Sequence, residues 1–249
     1  MKNNKKIKIN KLLVAGDSFV DGQTWFENIF ETNEIKNIGK QGAGNKFIAD
    51  GVITEIVEGF NPDFVLVVWS GLLRFDLTVS KKTQLKNNSY FGETKYSKYF
   101  FNTTAPFRDK NSSMKIKNEI IDWMYNEKDY VNIKTQSLLN ILSCQNFLKA
   151  NKIPYRFTFI YNFLDKNFDH NHLTNEKVDT NGFMSTLGSI DSKHPICNFI
   201  DQNMILRPFA LDFGLRHGVT RDDLFHLTKE GYDDWSKELL NNLHSESEQ

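Results

Sequence analysis

The sequence predicts an α/β protein, with a central, mostly parallel sheet covered by helices on both faces. Three observations point there. The runs Lys11–Asp17 and Phe64–Trp69 are short, continuous and apolar, as in strands buried on both faces. Between them Ile48, Val52, Ile56 and Val57 recur on one helical face. A third strand-like run, Lys152–Ile160, follows a long stretch of helical period, so strands alternate with helices.

The elements follow in order. Met1–Lys11 carries five lysines and reads as a solvated tail leading into a strand. The first strand ends at Gly16, and from Ser18 the apolar residues Phe19, Val20, Trp25, Phe26, Ile29 and Phe30 predict a helix. A short strand is expected at Ile35–Ile38, a helix at Asn45–Phe60 and a buried strand at Phe64–Trp69. Residues 75–111 and 162–197 keep no steady period and read as insertions. Helices are expected at Met114–Asn126, Val131–Asn151, within Asn198–Leu215 and at Thr228–Leu243, with Ser245–Gln249 fraying. No linker or repeat divides the chain, so residues 1–249 read as a single domain.

Composition narrows the function. The chain has 249 residues, 39% of them hydrophobic and 13% aromatic, too many for disorder. Lys+Arg and Asp+Glu are 31 each, against a dedicated nucleic-acid binder, and no apolar run is long enough for a leader or membrane span. Cys144 and Cys197 make no disulfide framework or zinc motif. A soluble protein of the cytoplasm, or one carried by a virion, is expected, with neither membrane nor nucleic acid as partner.

In parallel sheets the ligand lies beyond the carboxyl ends of the strands. That places Asp17–Ser18, Gly39–Gly44 and Ser70–Arg74 around one cleft. Ser18, at a strand end, has the position of a nucleophile whose own N–H helps to hold an oxyanion, although a serine there is also a common helix cap. Near the other end, Asp223 stands three residues before His226. An Asp at that spacing can fix the imidazole tautomer, leaving the other ring nitrogen to take a proton from serine. His217 and Asp222 are the alternatives to His226 and Asp223.

Gly16-Asp17-Ser18, Asn37-Ile-Gly-Lys-Gln-Gly42, and Asp223-x-x-His226 with Leu227-Thr-x-x-Gly231 together resemble the SGNH (GDSL-type) hydrolase superfamily. The resemblance covers residues 10–75 and 130–245. It implies a flavodoxin-like three-layer α/β/α fold and hydrolysis of esters or thioesters through an acyl-serine, on lipids, acyl thioesters or acetylated sugars. Carried over by position, Ser18 is the nucleophile, His226 the base, Asp223 its partner, and Gly42 an oxyanion N–H donor. No cofactor is implied. One block departs from the pattern: the family's third block supplies an oxyanion Asn, and Leu72 stands there. Leucine donates nothing, and one lost donor lowers the rate about 10²- to 10³-fold. Arg74 is the candidate substitute, its alternative being an ion pair with Asp76; Ser70 is the weaker candidate. Asp17, Trp69, Ser70 and Arg74 are the candidate substrate-binding residues.

Other motifs carry less. Gly39–Lys46 lacks the Ser or Thr of a phosphate-binding loop. Asp169, His170 and His172 have no further metal-ligand pattern. Asn87, Asn102 and Asn111 begin glycosylation sequons in an Asn-rich chain. Residues 75–107 hold eight aromatics, a hydrophobic satellite or a rim for an acyl chain or sugar. Residues 80–118 hold nine basic and two acidic residues, which favours an anionic substrate such as an acidic polysaccharide ester. The function expected is a serine ester hydrolase, a carbohydrate O-deacetylase or small-acyl esterase; the alternative is a non-catalytic glycan- or protein-binding module on the same fold.

Overall fold

The computed structural model describes residues 5–72, 74–79, 91–95, 97–102, 127–161, 195–221 and 226–247. Its centre is a parallel four-stranded sheet of β2 (Lys11–Ala15), β4 (Glu34–Asn37), β5 (Phe64–Trp69) and β9 (Tyr155–Phe159), in the order β4-β2-β5-β9. Register is set by pairs such as Val14 with Asn37, Val14 with Leu66, and Val67 with Phe157. Leu12–Ala15 and Val65–Trp69 are fully buried, so the sheet is covered on both faces. Helix α1 (Asn45–Val57) lies on β2 and β5 and packs on α2 (Glu127–Ala150). The other layer holds α3 (Ala210–His217), α4 (Lys229–Ser247) and a 3-10 turn at Trp25–Asn28 that packs on α4. This is the three-layer α/β/α architecture with the flavodoxin-like strand order.

Two small sheets flank this core. β1 (Ile7–Lys8) runs parallel to β3 (Phe30–Glu31), so part of the lysine-rich start pairs instead of remaining a solvated tail. β6 (Phe75–Val79), β7 (Phe91–Glu93) and β8 (Lys98–Asn102) form an antiparallel sheet in the order β6-β8-β7 inside the first insertion. The helix expected at Met114–Asn126 and most of the second insertion lie outside the described residues. Between 195 and 217 the chain makes two 3-10 turns, Pro195–Phe199 and Gln202–Met204, before α3. Where fraying was expected, α4 runs on to Ser247, and His244 Nε2 lies 2.7 Å from the Lys5 carbonyl oxygen.

The helix expected from Ser18 is not formed. The chain makes one turn, with the Val20 and Asp21 N–H groups donating to the Asp17 carbonyl, and Gly22 (φ +68°) then ends it. The helical spacing of Phe19, Val20, Trp25 and Phe26 comes from a compact turn that buries all four. Among the described residues no helix is long and apolar enough to cross a membrane.

Candidate active site

The strand order reverses at β2: the chain passes from β2 to β4 on one side, then returns through α1 to β5 on the other. Such a reversal opens a crevice at the carboxyl ends of the two central strands. Gly16–Ser18 leaves β2 there, and Ser70–Leu72 leaves β5 beside it. Crowding fixes this junction. A Cβ on Gly16 would lie 2.5 Å from Val20 and 3.0 Å from the Val68 carbonyl oxygen, so only glycine lets the turn fold back on β5.

Ser18 Oγ lies 2.8 Å from His226 Nε2, across 208 positions of sequence. The histidine is held from three directions. Its carbonyl oxygen accepts the Arg221 N–H at 2.7 Å, and Leu227 next to it bridges to Thr220. Thr228 caps α4, its Oγ1 accepting the Gly231 N–H at 3.0 Å. Gly231 itself sits where a Cβ would come within 2.7 Å of the Val219 carbonyl oxygen, a physical reason for the Leu227-Thr-x-x-Gly231 spacing. The imidazole also packs against Phe19, ring centroids 5.3 Å apart, and Phe19 accepts the Trp25 indole N–H at its carbonyl. The residue after Ser18 thus steadies the His226 ring. Asp223 and its alternative Asp222 lie outside the described residues. His217 is exposed at the end of α3 and stacks on Phe213.

The second glycine loop is bound to the turn that carries Ser18. The Lys40 N–H donates to the Gly16 carbonyl at 3.0 Å and the Gln41 N–H to Asp21 Oδ2 at 2.8 Å. Lys40–Ala43 is itself a turn, closed by the Ala43 N–H on the Lys40 carbonyl. Gly42 is its third residue with φ +82°, the left-handed conformation that a type II turn requires there. Among the described residues, neither the Ser18 nor the Gly42 N–H has an intramolecular acceptor.

Asp17, Ser70 and Arg74 form one buried network. The fully buried Asp17 carboxylate accepts the Phe19 N–H (3.0 Å) on Oδ1, and the Ser70 hydroxyl (2.8 Å) and Arg74 guanidinium (2.8 Å) on Oδ2. Arg74 therefore pairs with Asp17, where sequence offered Asp76 as its ionic partner; its side chain is 21% exposed. The Ser70 hydroxyl proton is committed to Asp17, which leaves it none for an oxyanion. Asp17 and Trp69 are buried away from solvent: Trp69 packs edge-on against Phe157, and its indole N–H has no partner among the described residues. Both were candidate substrate-binding residues, and neither offers surface to a ligand. Leu72 is likewise fully buried. Burial pushes the phenol pKa of buried Tyr161 up, with the Leu72 backbone acting against that shift.

Four residues complete the scaffold: Asn45, Ser137 and Tyr161, which sequence reasoning did not single out, and Asp76, which it offered only as an ionic partner for Arg74. Asn45 at the start of α1 accepts the Ser70 N–H (2.9 Å) and donates to the Ser70 carbonyl (3.1 Å) and to Ser137 Oγ on α2 (2.6 Å). Asp76 on β6 caps α1, accepting the Gly44 N–H at 2.8 Å and the Phe47 N–H at 2.7 Å. Burial pushes Asp76 up to about 7, against those two hydrogen bonds and the nearby Arg74 and Lys46. Tyr161 is the fourth. Asp76 was legible in part, as an acid just past the third block; the others carry no sequence signal. Among the described residues no group of three His, Cys, Asp or Glu side chains could hold a metal, and Asp169, His170 and His172 lie outside them. Comparison of the chain with protein-family models and with curated proteins gave no match.

Proposed function

We propose that the chain is a serine ester hydrolase of the SGNH type, acting on small acyl esters or O-acetylated carbohydrate. The observation that carries this reading is the 2.8 Å approach of Ser18 Oγ to His226 Nε2 at the carboxyl edge of a parallel sheet. The Ser18 oxygen attacks the ester carbonyl while its proton passes to His226 Nε2. The oxyanion that develops is met by the N–H groups of Ser18 and Gly42, with the guanidinium of Arg74 at the edge of the site. His226 returns the proton to the leaving alcohol as the carbonyl re-forms. Water, deprotonated by His226, then hydrolyses the acyl-serine. Asp223 supplies the tautomeric control. The basic segment 80–118 favours an anionic polysaccharide ester, in the cytoplasm or at a virion.

A second reading, a glycan- or protein-binding module, is favoured by the buried Leu72 in place of a donor side chain. Fluorophosphonate labelling separates the two, together with hydrolysis of a panel of aryl and sugar acetates by wild type and Ser18→Ala. Labelling at Ser18 and turnover lost in the variant support the hydrolase. A wild type no more reactive than Ser18→Ala supports the module.

A further inference from the structure

The site as proposed needs the Gly42 N–H held at a fixed angle to Ser18, and the loop carrying it has two anchors. One is the nucleophile turn, through the hydrogen bonds of Lys40 to Gly16 and Gln41 to Asp21. The other is Asp76, which takes the Gly44 N–H two residues beyond Gly42 and the Phe47 N–H in the first turn of α1. The second anchor is tight. A Cβ on Gly44 would meet both Asp76 carboxylate oxygens and the Arg74 carbonyl oxygen at 2.9–3.0 Å. Two residues before Asp76, Arg74 holds Asp17, the residue preceding the nucleophile. Residues 74–76 therefore fasten both sides of the oxyanion site, one with a cation and the other with an anion.

We propose that Asp76 is a positioning residue for the oxyanion loop, setting the orientation of the Gly42 N–H through its hold on Gly44 and Phe47. The inference rests on the hydrolase reading for its effect on rate, but not for the coupling itself. Ionised, the carboxylate offers an anionic oxygen to each N–H. Protonated, one of those oxygens carries a hydrogen and becomes a poor acceptor, so one anchor weakens. Among the described residues, the charged groups acting on Asp76 are Arg74 from its own segment and Lys46 from α1. Lys46 is itself paired with Asp50 at 2.6 Å. Burial outweighs both cations, so the change falls near neutral pH.

The test is an amide titration of the full wild-type chain by 15N–1H NMR from about pH 5 to 9. The Gly44 and Phe47 amides are expected to move along one curve centred at about 7, and Gly42 to follow with the same midpoint. In Asp76→Asn that step disappears. The rate at which a fluorophosphonate modifies Ser18 at high pH falls about tenfold, less than for outright loss of an oxyanion donor. Reagent affinity stays unchanged. A Gly42 amide that stays flat while Gly44 titrates overturns the proposal, as does an Asp76→Asn chain that reacts at the wild-type rate. A wild type whose Ser18 does not react, but whose Gly42 amide follows Asp76, keeps the coupling and removes the hydrolase.

Discussion

Arg74→Met removes the cation that faces a fully buried carboxylate. In the folded chain Asp17 then keeps only the Phe19 N–H and the Ser70 hydroxyl as donors. Breaking a fully buried pair costs about 3–5 kcal/mol, because one charge is left uncompensated. Arg74 is 21% exposed, so water reaches the pair and the expected cost drops to about 2–3 kcal/mol. Asp17→Asn alone strands the guanidinium less severely, because solvent can reach it, and costs about 1–2 kcal/mol. The double variant Asp17→Asn/Arg74→Met has no unpaired charge, so its loss should fall short of the sum by at least about 1 kcal/mol. Urea unfolding followed by tryptophan fluorescence measures all three against wild type, with constant m-values as the control. Additive losses, or an Arg74→Met chain within about 0.5 kcal/mol of wild type, would refute the network as the anchor of the Ser18 turn.

Three further outcomes follow from the same geometry. Leu72→Asn, which restores the donor of the resembled family, should not raise the rate of aryl acetate hydrolysis. The side chain there is fully buried, and a stranded amide costs about 1–3 kcal/mol of stability, read as a lower urea midpoint; a faster enzyme would disprove this. Gly44→Ala places a methyl group against the Asp76 carboxylate and the Arg74 carbonyl, and thermal unfolding should record a loss of about 1–3 kcal/mol; an unchanged Tm would mean that the loop is slack. Asp76 has a folded pKa raised to about 7, so its neutral form is the one the fold favours. Its contribution is full below about pH 4, is lost as pH rises towards 7 and is level above that, with a ceiling of ~4 kcal/mol from the size of the shift. The stability difference between wild type and Asp76→Asn, measured from about pH 4 to 8, should shrink or reverse over that window; a difference independent of pH would exclude the titration.

The sheet was legible because its strands are short apolar runs, and Phe64–Trp69 needs no partner information to be recognised as buried on both faces. That Ser18 and His226 would come together was legible from their places, one just past the first strand and one just before the last helix. Other features depend on contacts that no local pattern encodes. The turn after Ser18 imitates helical spacing, since four large apolar residues can be buried by a turn stopped at Gly22 as well as by a helix. The roles of Asp17 and Arg74 depend on two strand ends meeting across 57 positions, and Asn45 on a serine of α2 lying 92 positions away. Trp69 stood among the candidate substrate-binding residues, yet the sheet face it occupies is already filled by Phe157.

The replacement of the donor asparagine by Leu72 acquires a physical meaning from this network. In the resembled family's pattern, a side chain just past the third strand reaches the oxyanion directly. Here the same segment turns inward: Leu72 is buried, Ser70 and Arg74 hold Asp17, and Asp76 holds Gly44. Its polar groups hold the backbone around Ser18 and Gly42, whose N–H groups are the two donors in the proposed hydrolase. A fixed backbone dipole stabilises developing charge without reorganising during the reaction, so rigidity of the two remaining N–H groups can offset part of a missing third. Loosening either anchor should therefore lower the rate of Ser18 acylation by more than it weakens substrate binding. Kinetics of Arg74→Met and Asp76→Asn on aryl acetates make that separable. A fall in kcat at constant KM is expected for both, and a rise in KM alone would assign the segment to substrate contact instead.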